Sequence, residues 1–76
     1  MATINELTLH AEQGNAQAQN NLGLCYMLGD GVDIDEKEAA FWFIKAAEQD
    51  EPPAIANLSR CYLQGVGIKK DLSTAP

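Results

Sequence analysis

The sequence predicts an all-α solenoid of about five helices, the last of them truncated. Three observations carry this. Residues 21–31, NLGLCYMLGDG, return at residues 57–67 as NLSRCYLQGVG, with Asn, Leu, Cys, Tyr and two glycines in one register. The offset is 36 residues at every recurring position, from Asn21 and Asn57 through Cys25 and Cys61 to Gly31 and Gly67, and internal periods of roughly 20–50 residues mark stacked supersecondary units. Apolar residues recur between these points at steps of three and four, and glycine or proline closes each run.

The first helix is expected over residues 3–13, with Ile4, Leu7 and Ala11 on one face. Gly14 suits the left-handed position that ends a helix, and Asn15 opens the next element. Residues 15–28 carry two stripes. Ala18, Leu22, Cys25 and Tyr26 form a core face, while Gln17, Asn20, Leu24, Met27 and Leu28 lie roughly opposite and need another explanation. Gly29-x-Gly31 breaks that helix, because glycine tolerates the positive φ that a side chain resists.

Asp35 and Glu38 have capping-box spacing and open a third helix. Its inward stripe is Ala39, Phe43, Ala46 and Ala47, flanked by Trp42, whereas Lys37, Phe41, Lys45 and Glu48 point away. The next boundary is Asp50-Glu51-Pro52-Pro53, since proline is tolerated in a first helical turn. A helix over about 52–64 repeats the earlier pattern with Ala54, Leu58, Cys61 and Tyr62 inward; Gly65 and Gly67 end it, and Asp71 would cap a fifth helix. The organisation expected is one domain: residues 1–14 a degenerate N-terminal cap helix, 15–50 a complete helix pair, 51–76 a second, incomplete pair.

Size and charge set further bounds. A domain of 76 residues buries only about 60% of the surface its unfolded chain exposes, so stability is expected to be modest. Eleven acidic residues outnumber five basic ones, for a net charge of −6, which argues against nucleic acid, whose binding needs clustered Lys and Arg. The start, MATINELTLH, lacks the basic and apolar regions of a secretory signal, and no run approaches the roughly 18 apolar residues of a membrane span. A soluble, cytoplasmic protein with no membrane partner is expected, although a mature secreted one would look the same.

Taken together, Ala18, Leu22, Gly23, Tyr26, Gly29, Gly31, Val32, Asp35, Ala39, Trp42, Lys45, Ala46, Ala47, Glu48 and Gln49 resemble the Sel-one-like repeat, a relative of the tetratricopeptide repeat. The resemblance covers about residues 11–75. It departs at Glu6, Leu9 and His10, which stand where the repeat has Trp42, Lys45 and Ala46, and at Ser59 and Asp50, which replace the glycines at Gly23 and Gly14. Asp tolerates the left-handed region better than most residues, so the turn at Asp50 is expected to survive. The resemblance implies an α-solenoid of tetratricopeptide-like helix pairs wound into a right-handed superhelix and used as a scaffold or adaptor. Relatives occur in signalling, in protein quality control and in bacterial proteins that meet host cells.

The resemblance also implies a binding surface, the concave face lined by the first helix of each pair. By register those positions are Gln17, Asn20, Leu24, Met27 and Leu28, then Pro53, Ala56, Arg60, Leu63 and Gln64. A solvent-facing row of this kind is an apolar patch that marks contact with a peptide or protein. On that view Leu24→Glu with Met27→Glu would leave the fold intact and abolish binding. The competing reading is that the row packs on another repeat or on a second copy of the chain. An exposed solenoid end, with Phe41, Trp42, Ile44 and the 52–64 helix as candidate surface, would then join a homodimer.

Catalytic and metal readings are weak. Cys25 and Cys61 sit a whole repeat apart; packed helices are about 8–10 Å apart, beyond the roughly 7 Å that a disulfide spans, so two buried thiols in a reducing compartment are expected. Cys25 with His10 lacks the third orienting group of a nucleophilic site, and two Cys with one His lack the spacing of a zinc site. Asp30, Asp33, Asp35, Glu36 and Glu38 crowd one turn, but Lys37 and Glu38 fall where a calcium loop needs a ligand and a glycine. The Gly29-x-Gly31 and Gly65-x-Gly67 pairs lack the third glycine of a phosphate cradle. No enzyme activity and no cofactor are expected.

Overall fold

The computed structural model describes residues 3–65 as four helices: α1 (Ile4–Glu12), α2 (Ala16–Leu28), α3 (Glu36–Ala47) and α4 (Pro52–Gln64). All four match the periodicity to within a residue or two. The fifth helix, with Asp71 as its cap, and Gly67 lie outside the described residues.

Three of the four helices start where a side chain accepts a free backbone N–H. Thr3 Oγ1 accepts from the Glu6 N–H at 3.1 Å, and Asn15 Oδ1 from the Ala18 N–H at 2.9 Å. Asp35 Oδ1 accepts from the Glu38 N–H at 3.2 Å. α4 has no side-chain cap and starts instead with two prolines, which have no N–H to satisfy. The capping box expected at Asp35 is half made. Glu38 Oε2 accepts from the Trp42 indole N–H at 3.0 Å, while the Asp35 N–H donates to the Tyr26 carbonyl at 2.9 Å. The second half of the box is replaced by a bond that ties the α2–α3 turn back to the end of α2, and Glu38 satisfies a mostly buried indole.

The helices end on left-handed residues. Gly14 (φ 99°) closes α1 with two bonds, Gly14 N–H to the Ala11 carbonyl and Asn15 N–H to the His10 carbonyl, the pattern of a Schellman motif. Asp50 holds the same place after α3 with φ 61°, so the turn survives the loss of glycine as expected. Its strain is offset by backbone bonds from Asp50 to Ala47 and from Glu51 to Ala46.

Packing proceeds from neighbour to neighbour: α1 on α2, α2 on α3, α3 on α4. Two small cores result. Ala11, Ala18, Leu22 and Trp42 join α1, α2 and α3, with Ile4, Leu7 and Tyr26 packed against them. Ala39, Phe43 and Cys61 join α3 to α4, and Leu24, Tyr26, Met27 and Leu58 pack on that cluster. Tyr26 belongs to both, which makes α2 the shared wall. A layered core of this kind, each layer touching only its neighbours, is what a solenoid predicts.

Gly23 sets the α2–α3 distance. A Cβ placed on it would lie 2.7 Å from Phe43 Cε1 and 3.1 Å from the Ala39 carbonyl oxygen, so only glycine allows this approach. In the same register, Ser59 is exposed and turns its hydroxyl onto the Ile55 carbonyl. Tyr62 and Trp42 depart from expectation. Tyr62 is exposed where Tyr26 is held between two cores, because among the described residues only one core reaches α4. Trp42, a candidate for uncovered surface, is buried. Of its neighbours, Ile44 is half-buried and Phe41 exposed, with Lys45 Nζ 5.4 Å above the Phe41 ring.

Candidate protein-binding face

The ten positions assigned to the concave face divide sharply. On α4, Pro53, Ala56, Arg60, Leu63 and Gln64 are all exposed, Leu63 at 52%. On α2, Gln17 and Leu28 are exposed, the latter at 69%. Leu24 and Met27 are half-buried and pack on the Ala39, Phe43 and Cys61 cluster. Asn20 is only 4% exposed, and its Oδ1 accepts from Asn57 Nδ2 at 3.0 Å.

The expectation of a solvent-facing row therefore needs correction at Asn20, Leu24 and Met27. In a stack, one side of each first helix meets the next first helix, and these three residues lie on that side. Leu24→Glu with Met27→Glu would thus disturb packing as well as any surface, and separates nothing.

Spacing alone did not reveal that Gln19, Gln49 and Asn57 hold the layers together. Gln19, buried, donates to the Ala11 carbonyl at 3.0 Å. Gln49 Nε2 donates both to the Gly14 carbonyl and to Gln19 Oε1, each at 2.9 Å. This amide chain clasps the α1–α2 turn to the end of α3. Asn57 does the same between α2 and α4, and its recurrence with Asn21 inside a helix, where Asn is not a favoured residue, was the available signal.

A groove of about 210 Å³ runs between α1 and α2, lined by Glu6, Leu7, His10, Asn15, Gln17, Ala18 and Asn21. His10 is exposed on its wall, although its register partner Ala46 is fully buried.

Both cysteines are free thiols. Burial, and then the negative charge of Asp30, pushes the Cys25 thiol above its usual range. Cys61 is pushed up by burial and by Glu36, with Arg60 opposing. Raised thiols stay protonated at neutral pH, the reverse of an activated nucleophile. Among the described residues no three His, Cys, Asp or Glu side chains converge as a metal site would need, and no helix is long and apolar enough to cross a membrane.

No curated protein matches the chain. Among solved structures, a Sel1 repeat protein from Oxalobacter formigenes superposes with a TM-score of 0.87 at 38% identity over 90% of this chain. The chain spans only 20% of that protein's length. The Sel1 repeat model matches twice in succession, at residues 16–51 and 52–75, so that its boundaries fall on the starts of α2 and α4. With most of its length matched by that model, the chain belongs to the Sel1 repeat family.

Proposed function

We propose that the chain is a non-enzymatic interaction module, an adaptor or scaffold that holds a peptide or protein along the concave side formed by α2 and α4. Sel1 repeats are generally protein-interaction modules. The observation that carries the reading to this surface is the exposure of Leu28 near the end of α2 and of Leu63 near the end of α4, two helices bridged by the Asn20–Asn57 hydrogen bond. Apolar side chains left open beside half-buried Leu24 and Met27 form an adaptable contact strip. Gln17, Pro53, Ala56, Arg60 and Gln64 complete it, and Arg60 gives it one positive edge. Residues 1–14 act as a cap, followed by a complete pair over 15–50 and an incomplete one over 51–76. The two unpaired thiols support a reducing, cytoplasmic setting.

Selection from a displayed peptide library, followed by titration of the selected peptides, tests this. Leu28→Glu with Leu63→Glu alters only exposed positions, so helical circular dichroism should be unchanged while peptide affinity falls at least tenfold. Selected peptides that bind the double variant as well as the parent would refute the assignment.

A further inference from the structure

In the 36-residue register, the exposed side of α4 and the α1–α2 groove correspond to the two sides of a contact that the chain makes once within itself. Inside the molecule, α2 presents Asn20, Leu24 and Met27 to α3 and α4. Shifted by the 36-residue period, those positions are Ala56, Arg60 and Leu63 on α4, all exposed. Residues receiving α2 include Phe43 on α3 and Asn57 on α4. Shifted back by the same period they become Leu7 and Asn21, and both line the groove. The floor residue Ala18 corresponds to Ala54, which is fully buried in α4.

We propose that a second copy of this chain seats its α4 in the groove of the first, head to tail. In that arrangement α1 serves the incoming α4 as α3 serves α2 within the chain. Two further observations favour this occupant. Ile55, Tyr62 and Leu63 are 45%, 42% and 52% exposed, an apolar load that a solvated helix does not need. Arg60 is also the single charged residue of α4 in a chain of net charge −6, whereas α1 carries Glu6 and Glu12 and Glu6 lines the groove. The two surfaces are complementary in charge as well as in register. Because donor and acceptor faces differ, the contact is heterologous and grows open-ended oligomers instead of stopping at a symmetric dimer. The inference does not rest on the peptide-binding reading, although Gln17, Ala56, Arg60 and Leu63 belong to both surfaces.

Two blocking variants test it by sedimentation of the full chain from about 10 to about 500 µM, where mass action exposes weak association. Leu63→Glu blocks the donor helix, and Asn21→Arg fills the groove and repels Arg60; both positions are exposed, and circular dichroism checks that each variant folds. The parent should grow past dimer with rising concentration and shrink with added salt. Each variant alone should stay monomeric, and an equimolar mixture should form one-to-one dimers and nothing larger, since each component supplies the half its partner lacks. A parent that is monomeric throughout overturns the proposal, as does a mixture that stays monomeric. Asn21→Arg should leave the affinity of selected peptides unchanged, so loss of self-association and loss of peptide binding are read separately.

Discussion

Replacing Gly23 by alanine pits a local preference against a tertiary one. Alanine is favoured over glycine inside a helix by about 1 kcal/mol, so propensity alone predicts a more stable protein. The new methyl group, however, would lie 2.7 and 2.8 Å from two ring carbons of Phe43 and 3.1 Å from the Ala39 carbonyl oxygen. Phe43 is fully buried and the carbonyl belongs to a helix backbone, so neither can move aside cheaply. Overpacking of this kind costs about 2–3 kcal/mol, which leaves a net loss of about 1–2 kcal/mol after the propensity gain. For a domain of this size each kcal/mol lowers Tm by roughly 4–8 °C. Urea titration followed by circular dichroism and by Trp42 fluorescence measures the change. In a Phe43→Leu background the ring edge is gone, and Gly23→Ala should become close to neutral. A Gly23→Ala protein as stable as the parent would mean that α2 and α3 are not held at this distance, and the account of the shared core would fail.

Asp50→Gly should raise stability by up to about 1 kcal/mol, because the residue sits at φ 61° where a side chain is strained. Gly14→Ala should lower it by about 1–2 kcal/mol for the same reason, since nothing lies within 4 Å of the added methyl and the whole effect is backbone strain. Chemical denaturation of both variants checks the pair of signs. The thiols give a pH test. Their folded pKa values are raised by burial, so the stability they support is complete below the unfolded thiol value of about 8.5 and declines as pH climbs through the folded values. Urea midpoints should fall between pH 8 and pH 10, by less in a Cys61→Ala protein. Reaction with an aromatic disulfide reagent at pH 8 should be at least about tenfold slower in the folded chain than in urea.

Most of the architecture was legible because it rests on rules that act within a few residues. Helix limits followed from Asn15, Asp35 and the Pro52-Pro53 pair, and helix ends from Gly14, Gly29 and Gly65, whose φ values are all positive. The core stripe containing Leu22, Ala39 and Phe43 followed from spacing. The candidate surface was less legible. Periodicity separates the two sides of a helix, but it does not say which neighbour covers a side, and both water and a following helix suit the sequence Asn20, Leu24, Met27. The same limit hid the Gln19 and Gln49 amides, whose bonds to Ala11 and Gly14 span 8 and 35 residues.

The order of residues by itself determined that this chain forms paired helices in a 36-residue repeat, since capping, turn chemistry and apolar spacing are local and recur in register. Tertiary structure alone decided that Asn20, Leu24 and Met27 join the layers while Leu28 and Leu63 stay open. That outcome depends on where each helix finds its neighbour in space, and two positions equivalent in the repeat have different neighbours.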